Sequence, residues 1–119
     1  YEPKVSTAER EAGLDSLPTQ TRNRVNSGGY EADPKFAPTQ MKNHHPTLKP
    51  ISLTKYLATL LLPPAAYAPR RILVPFSGTA SEMIGCALAG WEHIVGIEFD
   101  TENGYMDIAH KRMECWTNK

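Results

Sequence analysis

At 119 residues, the chain is long enough for one domain of ordinary size or for part of a larger one. Thirteen basic and thirteen acidic side chains cancel to a formal charge of zero, which excludes the strongly basic balance of a free-standing nucleic-acid binder. Two cysteines, Cys86 and Cys115, are too few for a disulfide framework. No secretory leader or membrane-length apolar run is evident, so a cytoplasmic protein without a membrane partner is the expectation.

Residues 1–42 read as a polar extended or loop segment with at most one short helix, capped by Ser6 or Thr7, running through Ala8 to Glu11 and ended by Gly13. Pro18, Gly28-Gly29, Pro34 and Pro38 leave no room for a core helix, so this stretch is expected to be a functional loop or to pack on something else. Pro50 to Leu62 reads as a helix with one apolar stripe, Leu53, Tyr56, Leu57, Leu60 and Leu61, ended by Pro63-Pro64. Arg71 to Phe76 is a short, branched, almost wholly apolar run, the pattern of a strand buried on both faces. Thr79 with Glu82 three positions on has the form of a reciprocal capping box, opening a helix through Met83, Ile84, Ala87 and Leu88 that Gly90 ends. His93 to Phe99 is a second strand, and Asp100 or Thr101 begins a last helix with apolar Tyr105, Ile108, Ala109, Met113 and Trp116.

Helix, strand, helix, strand, helix with short turns is the order of a parallel, doubly wound α/β sheet with helices on both faces. Two strands leave outer edges unsatisfied, so more strands are expected from upstream sequence before Tyr1, from a partner, or from a second copy.

Three segments carry chemistry. Val74 to Glu82 links a strand to a helix amino terminus, where free amides and the helix dipole favour a polar or anionic ligand end; Gly78 permits close approach. The turn has neither the three glycines of a dinucleotide site nor the lysine of a phosphate loop, and the plainer alternative is a tight connection. Glu98, twenty positions after Gly78 at the end of the second strand, is placed to accept both hydroxyls of a ribose, with Phe99 beside it for an adenine face. The alternative makes Glu98 a solvated strand-end acid and Asp100 a helix cap. Asn43 to Pro50 compresses His44, His45, Thr47 and Lys49 between stiffening prolines; Thr47 and Lys49 suit a carboxylate, although a rigid loop before a helix has the same look. The middle of the chain, His44 to Trp91, has four basic residues and one acidic. His44, His45, His110, Cys86 and Cys115 show no closed zinc spacing; Cys86 reads as buried and His110 as a partly exposed helix residue.

Together these segments resemble the adenine-N6 or cytosine-N4 DNA methyltransferases in which the catalytic portion precedes the cofactor portion. His45-Pro46-Thr47-Leu48-Lys49-Pro50 matches that family's His-Pro-Thr-x-Lys-Pro element. Val74-Pro75-Phe76-Ser77-Gly78-Thr79-Ala80 stands for its Asp-Pro-Phe-x-Gly-x-Gly turn, and Gly96-Ile97-Glu98 for its acidic strand end. The match covers residues 43–116, and more loosely Tyr1 to Gly13. The resemblance implies a partial Rossmann-like fold over 43–119 that binds S-adenosylmethionine. In that reading His45, Thr47 and Lys49 lie around the methionine end, Phe76, Ser77, Gly78 and Thr79 line the binding turn, and Glu98 and Phe99 hold the ribose and adenine. Val74 stands where the family has an acid for the ammonium group, and Ala80 where it has a glycine. The family's Pro-Pro-Tyr/Phe catalytic element is absent, so no catalytic residue is assigned here and DNA is the expected partner of the complete enzyme only. A noncatalytic remnant forming a structural homo-oligomer, or a related module acting on RNA or protein, are the alternatives.

Overall fold

The computed structural model describes residues 4–22 and 39–118. Helix α1 spans Thr7–Glu11, and the Ser6 hydroxyl accepts the Glu9 N–H at 3.2 Å, as its cap position predicts. The chain then buries Leu14 completely against Tyr105 and Ile108, with Leu17 alongside. Short strands β1 (Gln20–Arg22) and β2 (Thr39–Met41) pair antiparallel, Gln20 opposite Met41. The opening segment, expected as loop with at most one short helix, holds that helix and in addition two strand pieces, and its Leu14 shares a core with the last helix. The glycine pair Gly28-Gly29 and Pro34 and Pro38 lie outside the described residues.

Helix α2 (Ile51–Leu61) begins after Pro50 and ends before the Pro63-Pro64 pair. The stripe expected to be its buried face is not: Tyr56, Leu57, Leu60 and Leu61 are exposed, and Ile51, Thr54 and Ala58 face inward. The reason is close approach to helix α3 (Ser81–Ala89) at Gly85. A Cβ on Gly85 would stand 2.6 Å from the Thr54 carbonyl carbon and 2.7 Å from the Lys55 nitrogen, so only small residues meet at this crossing. The Thr54 hydroxyl lies 3.0 Å from the Ser81 carbonyl, fixing the register of the two helices. Gly85→Ala therefore sets a helix-propensity gain of about 1 kcal/mol against overpacking of backbone, which typically costs about 1–3 kcal/mol. Because the backbone atoms cannot rotate away, the clash wins: the expected result is a lower Tm by circular dichroism.

Strands β3 (Arg71–Pro75) and β4 (His93–Ile97) form a two-stranded parallel sheet, Arg71 opposite His93 and Pro75 opposite Ile97. The cluster of Ala58, Val74 and Cys86, with Ile72, Met83, Trp91 and Ile94 around it, fills the space between this sheet and α3. Helix α4 (Tyr105–Thr117) packs on α3. Strand β3 is not buried on both faces as its apolar run suggested, and helices do not cover both faces of the pair. The face carrying Leu73, Val95 and Ile97 is 57%, 59% and 53% exposed at those residues, because no described element covers it. What results is a small α/β unit with helices on one side of two parallel strands. Among the described residues, no helix is long and apolar enough to cross a membrane.

Candidate functional site

The turn leaving β3 owes its shape to three left-handed residues: Phe76 (φ 59°), Gly78 (φ 53°) and Ala80 (φ 72°). Glycine adopts this region freely, whereas a residue with a Cβ is disfavoured there by roughly 1–2 kcal/mol. The conformation turns Phe76 outward, 85% exposed, and buries Ser77, Thr79 and Ala80. The Ser77 N–H donates to the Ile97 carbonyl at 2.8 Å, binding the turn to the end of β4.

The expected capping box does not form. Ala80, not Thr79, holds the N-cap position of α3, and no side chain caps it. The Thr79 hydroxyl is occupied from elsewhere: Asn43 Nδ2 donates to it at 3.2 Å and Arg112 Nη1 at 3.3 Å. Glu82 instead pairs with Lys49 at 2.5 Å, across the mouth of the turn.

Glu98 reaches back to the same turn. Its Oε2 accepts the Gly78 N–H at 2.5 Å and its Oε1 accepts the Asp100 N–H at 2.9 Å. Each carboxylate oxygen has a second lone pair for a ligand hydroxyl. Phe99, next in sequence, is 90% exposed. Asp100 does not open α4, contrary to expectation. Its carboxylate accepts the N–H groups of Glu102 and Asn103 at 3.0 and 3.1 Å and Asn103 Nδ2 at 2.6 Å, and α4 starts only after Gly104. The Asn103 side chain, then its amide, hold the Asp100 carboxyl below the usual carboxylate range.

The segment from Asn43 closes over this floor. Asn43 is fully buried: its Oδ1 accepts the His45 N–H at 3.3 Å and its Nδ2 donates to the Arg10 carbonyl at 3.4 Å as well as to Thr79. The His45 ring lies 4.7 Å from that of Tyr105 and so close over Gly78 that a Cβ there would stand 2.9 Å from Nε2. Its Nδ1 accepts the Thr47 N–H at 3.2 Å, so the neutral ring carries its proton on Nε2.

Burial pushes the His45 imidazole below its ordinary value of 6.5, outweighing Glu98 and Glu82, which raise it, while Lys49 and His44 add to the lowering. The unfolded chain therefore binds the proton more readily. This contribution to stability is complete above pH 6.5 and declines as pH falls from there through the lower folded value. Thermal unfolding between pH 7.5 and 5.5, two conditions of about one pH unit either side of the free imidazole, is expected to show falling Tm, with a flatter profile in His45→Gln.

Between the cover and the turn lies an open cleft of about 250 Å³, counting its solvent-facing space. Of the nine residues singled out from the sequence, seven line it: His45, Thr47, Lys49, Phe76, Ser77, Gly78 and Thr79. Glu98 adjoins it through the Gly78 N–H, and Phe99 stands outside it. Leu48, Ser81 and Glu82 complete the wall, and Asn43 and Arg112 support it from behind; Glu82 was expected only as a capping partner, and none of these was expected to bind a ligand. Asn43 and Arg112 gave no local signal, being polar residues whose burial depends on distant partners. The cleft presents the hydroxyl residues Thr47, Ser77, Thr79 and Ser81, the Lys49 ammonium with its partner Glu82, and the amino end of α3, a set suited to a polar or zwitterionic ligand end. Cys86 is buried, and burial, with Glu82, pushes its thiol up, so it stays protonated. Among the described residues, no three metal-ligating side chains cluster. No family model, curated protein or solved structure matches the chain.

Proposed function

We propose that this chain is the cofactor-binding portion of a DNA amino-methyltransferase with a Rossmann-like core, taking S-adenosylmethionine at the ends of β3 and β4. The observation that supports this best is the meeting of three sequence-distant elements at one point. His45 lies over Gly78, and Glu98 accepts the Gly78 N–H from the neighbouring strand. In this reading Glu98 takes the ribose hydroxyls on its free lone pairs, the exposed Phe99 supports the adenine, and His45, Thr47 and Lys49 surround the methionine end. A cleft of about 250 Å³ is smaller than the whole-ligand pockets of roughly 300–1,000 Å³. It suits the amino-acid end, with the nucleoside lying along the open strand ends past Phe76.

The chain's contribution is to bind and orient the methyl donor, the positioning share of catalysis. Methyl transfer to an adenine or cytosine amine needs the Pro-Pro-Tyr/Phe-type element, which these residues lack. Val74 is buried in the core, so no carboxylate stands at that strand position for the ligand's ammonium group.

The open sheet face of Leu73, Val95 and Ile97 favours a second reading, a noncatalytic remnant that assembles as a homo-oligomer. Calorimetric titration of the folded chain with S-adenosylmethionine separates the two. Saturable one-to-one binding supports the cofactor reading; no heat with a sample that unfolds cooperatively rejects it and leaves the remnant.

A further inference from the structure

Arg112 has the largest fully buried side chain among the described residues, with 0% exposure. It reaches from α4 to the start of α3, where Nη1 donates to the Thr79 carbonyl at 2.7 Å, the Thr79 hydroxyl at 3.3 Å and the Ser81 hydroxyl at 3.1 Å. Among the described residues, its Nε and Nη2 have no hydrogen-bond partner and neither ion pair includes it. Glu9 and Glu82 favour its charge from a distance and Arg10 opposes it; Glu82 is itself paired with Lys49, and Glu9 accepts the Ile51 N–H at 2.8 Å. Burial lowers its pKa to about 10, which leaves it charged at neutral pH. Among the described residues no carboxylate makes direct contact with this buried charge, which lies behind the cleft wall formed by Thr79 and Ser81, so an anion in the cleft would compensate it.

The hydrogen bonds fix a polarity. A guanidinium only donates, so each hydroxyl it touches must accept and direct its own proton elsewhere. Thr79 Oγ1 accepts from both Arg112 and Asn43, which leaves it only its O–H to offer. The Asn43 orientation is pinned, since its Oδ1 takes the His45 N–H while its Nδ2 faces the Arg10 carbonyl. Ser81 stands in the same relation to Arg112, and both residues line the cleft at the amino terminus of the nine-residue α3.

We infer that Arg112 is a positioning residue that makes the cleft floor a carboxylate site, orienting the Thr79 and Ser81 hydroxyls as donors and matching its own charge to the ligand's. The inference rests on the cofactor reading and adds which group of the cofactor meets α3. The test compares S-adenosylmethionine with its decarboxylated analogue, which keeps the nucleoside and the ammonium group, by calorimetry on the wild-type chain, Arg112→Met and Arg112→Lys. The wild type should prefer the carboxylate form by about tenfold or more, the range for a hydrogen bond to a charged group. Arg112→Met should weaken that ligand and tighten the decarboxylated one, and Arg112→Lys should restore part of the preference. A merely structural role weakens both ligands together, and that result, or a wild type indifferent to the carboxylate, overturns the proposal. If Arg112→Met does not fold, Thr79→Val with Ser81→Ala keeps the cation and should still narrow the preference; an unchanged preference overturns it. If the wild type binds neither nucleoside, the cofactor reading fails alone provided L-methionine raises Tm in the wild type and not in Arg112→Met. No shift with L-methionine sinks both.

Discussion

Gly78→Ala is expected to abolish measurable S-adenosylmethionine binding and to destabilise the fold by about 2–5 kcal/mol, the sum of a left-handed backbone carrying a Cβ and the displacement of a packed side chain. The added methyl would meet His45 Nε2 at 2.9 Å and Cε1 at 3.3 Å. The ring has little freedom to yield, because Tyr105 lies against it and Thr47 holds its Nδ1. Moving it displaces the cover that forms one wall of the cleft. The chain should stay folded, since domains typically have about 5–15 kcal/mol of stability. Urea denaturation and calorimetry together check both halves. Gly90→Ala is the control: its φ of 109° is equally unsuited to a Cβ, but the nearest atom is Leu62 Cδ2 at 3.7 Å, away from the cleft. It should lower stability and leave binding intact. If Gly78→Ala binds as the wild type does, the cover does not form part of the ligand site.

Glu98→Ala should weaken the cofactor by about a hundredfold and cost the fold about 2–4 kcal/mol, since two backbone N–H groups lose a charged acceptor. Those donors are Gly78, at 2.5 Å, and Asp100, at 2.9 Å. Glu98→Gln separates the two effects. Its one carbonyl oxygen can keep one of the two backbone bonds, so stability should fall by less, while a ribose loses its charged acceptor. Binding that falls in Gln as well as Ala, with stability partly kept in Gln, marks a ligand contact. Affinity that merely tracks stability in both would reduce Glu98 to a brace for the turn.

Much of this arrangement was legible because it depends on local chemistry. Prolines bracket α2, short branched runs mark β3 and β4, and Glu98 follows Gly78 at a spacing that brings consecutive parallel strand ends together. Where the reading failed, a distant residue decided the outcome. Thr79 has the look of a cap, yet its hydroxyl is taken by Asn43, 36 positions earlier, and by Arg112, 33 positions later. The leucines and Tyr56 of α2 have the look of a core face, yet Gly85 lets the smaller Thr54 and Ala58 approach α3 and turns the bulk outward. Arg112 sits among charged residues of α4, and nothing in that neighbourhood foretells that it is enclosed.

The uncovered side of the sheet bears on how the chain behaves as a material. Leu73, Val95 and Ile97 form a greasy strip bordered by Arg71 and His93. A partner or second copy that bound this strip in the folded chain alone would add to its stability by mass action and make the unfolding midpoint depend on concentration. The homo-oligomer reading therefore predicts an unfolding midpoint that falls on dilution, whereas a chain whose strip stays open gives the same midpoint at every concentration.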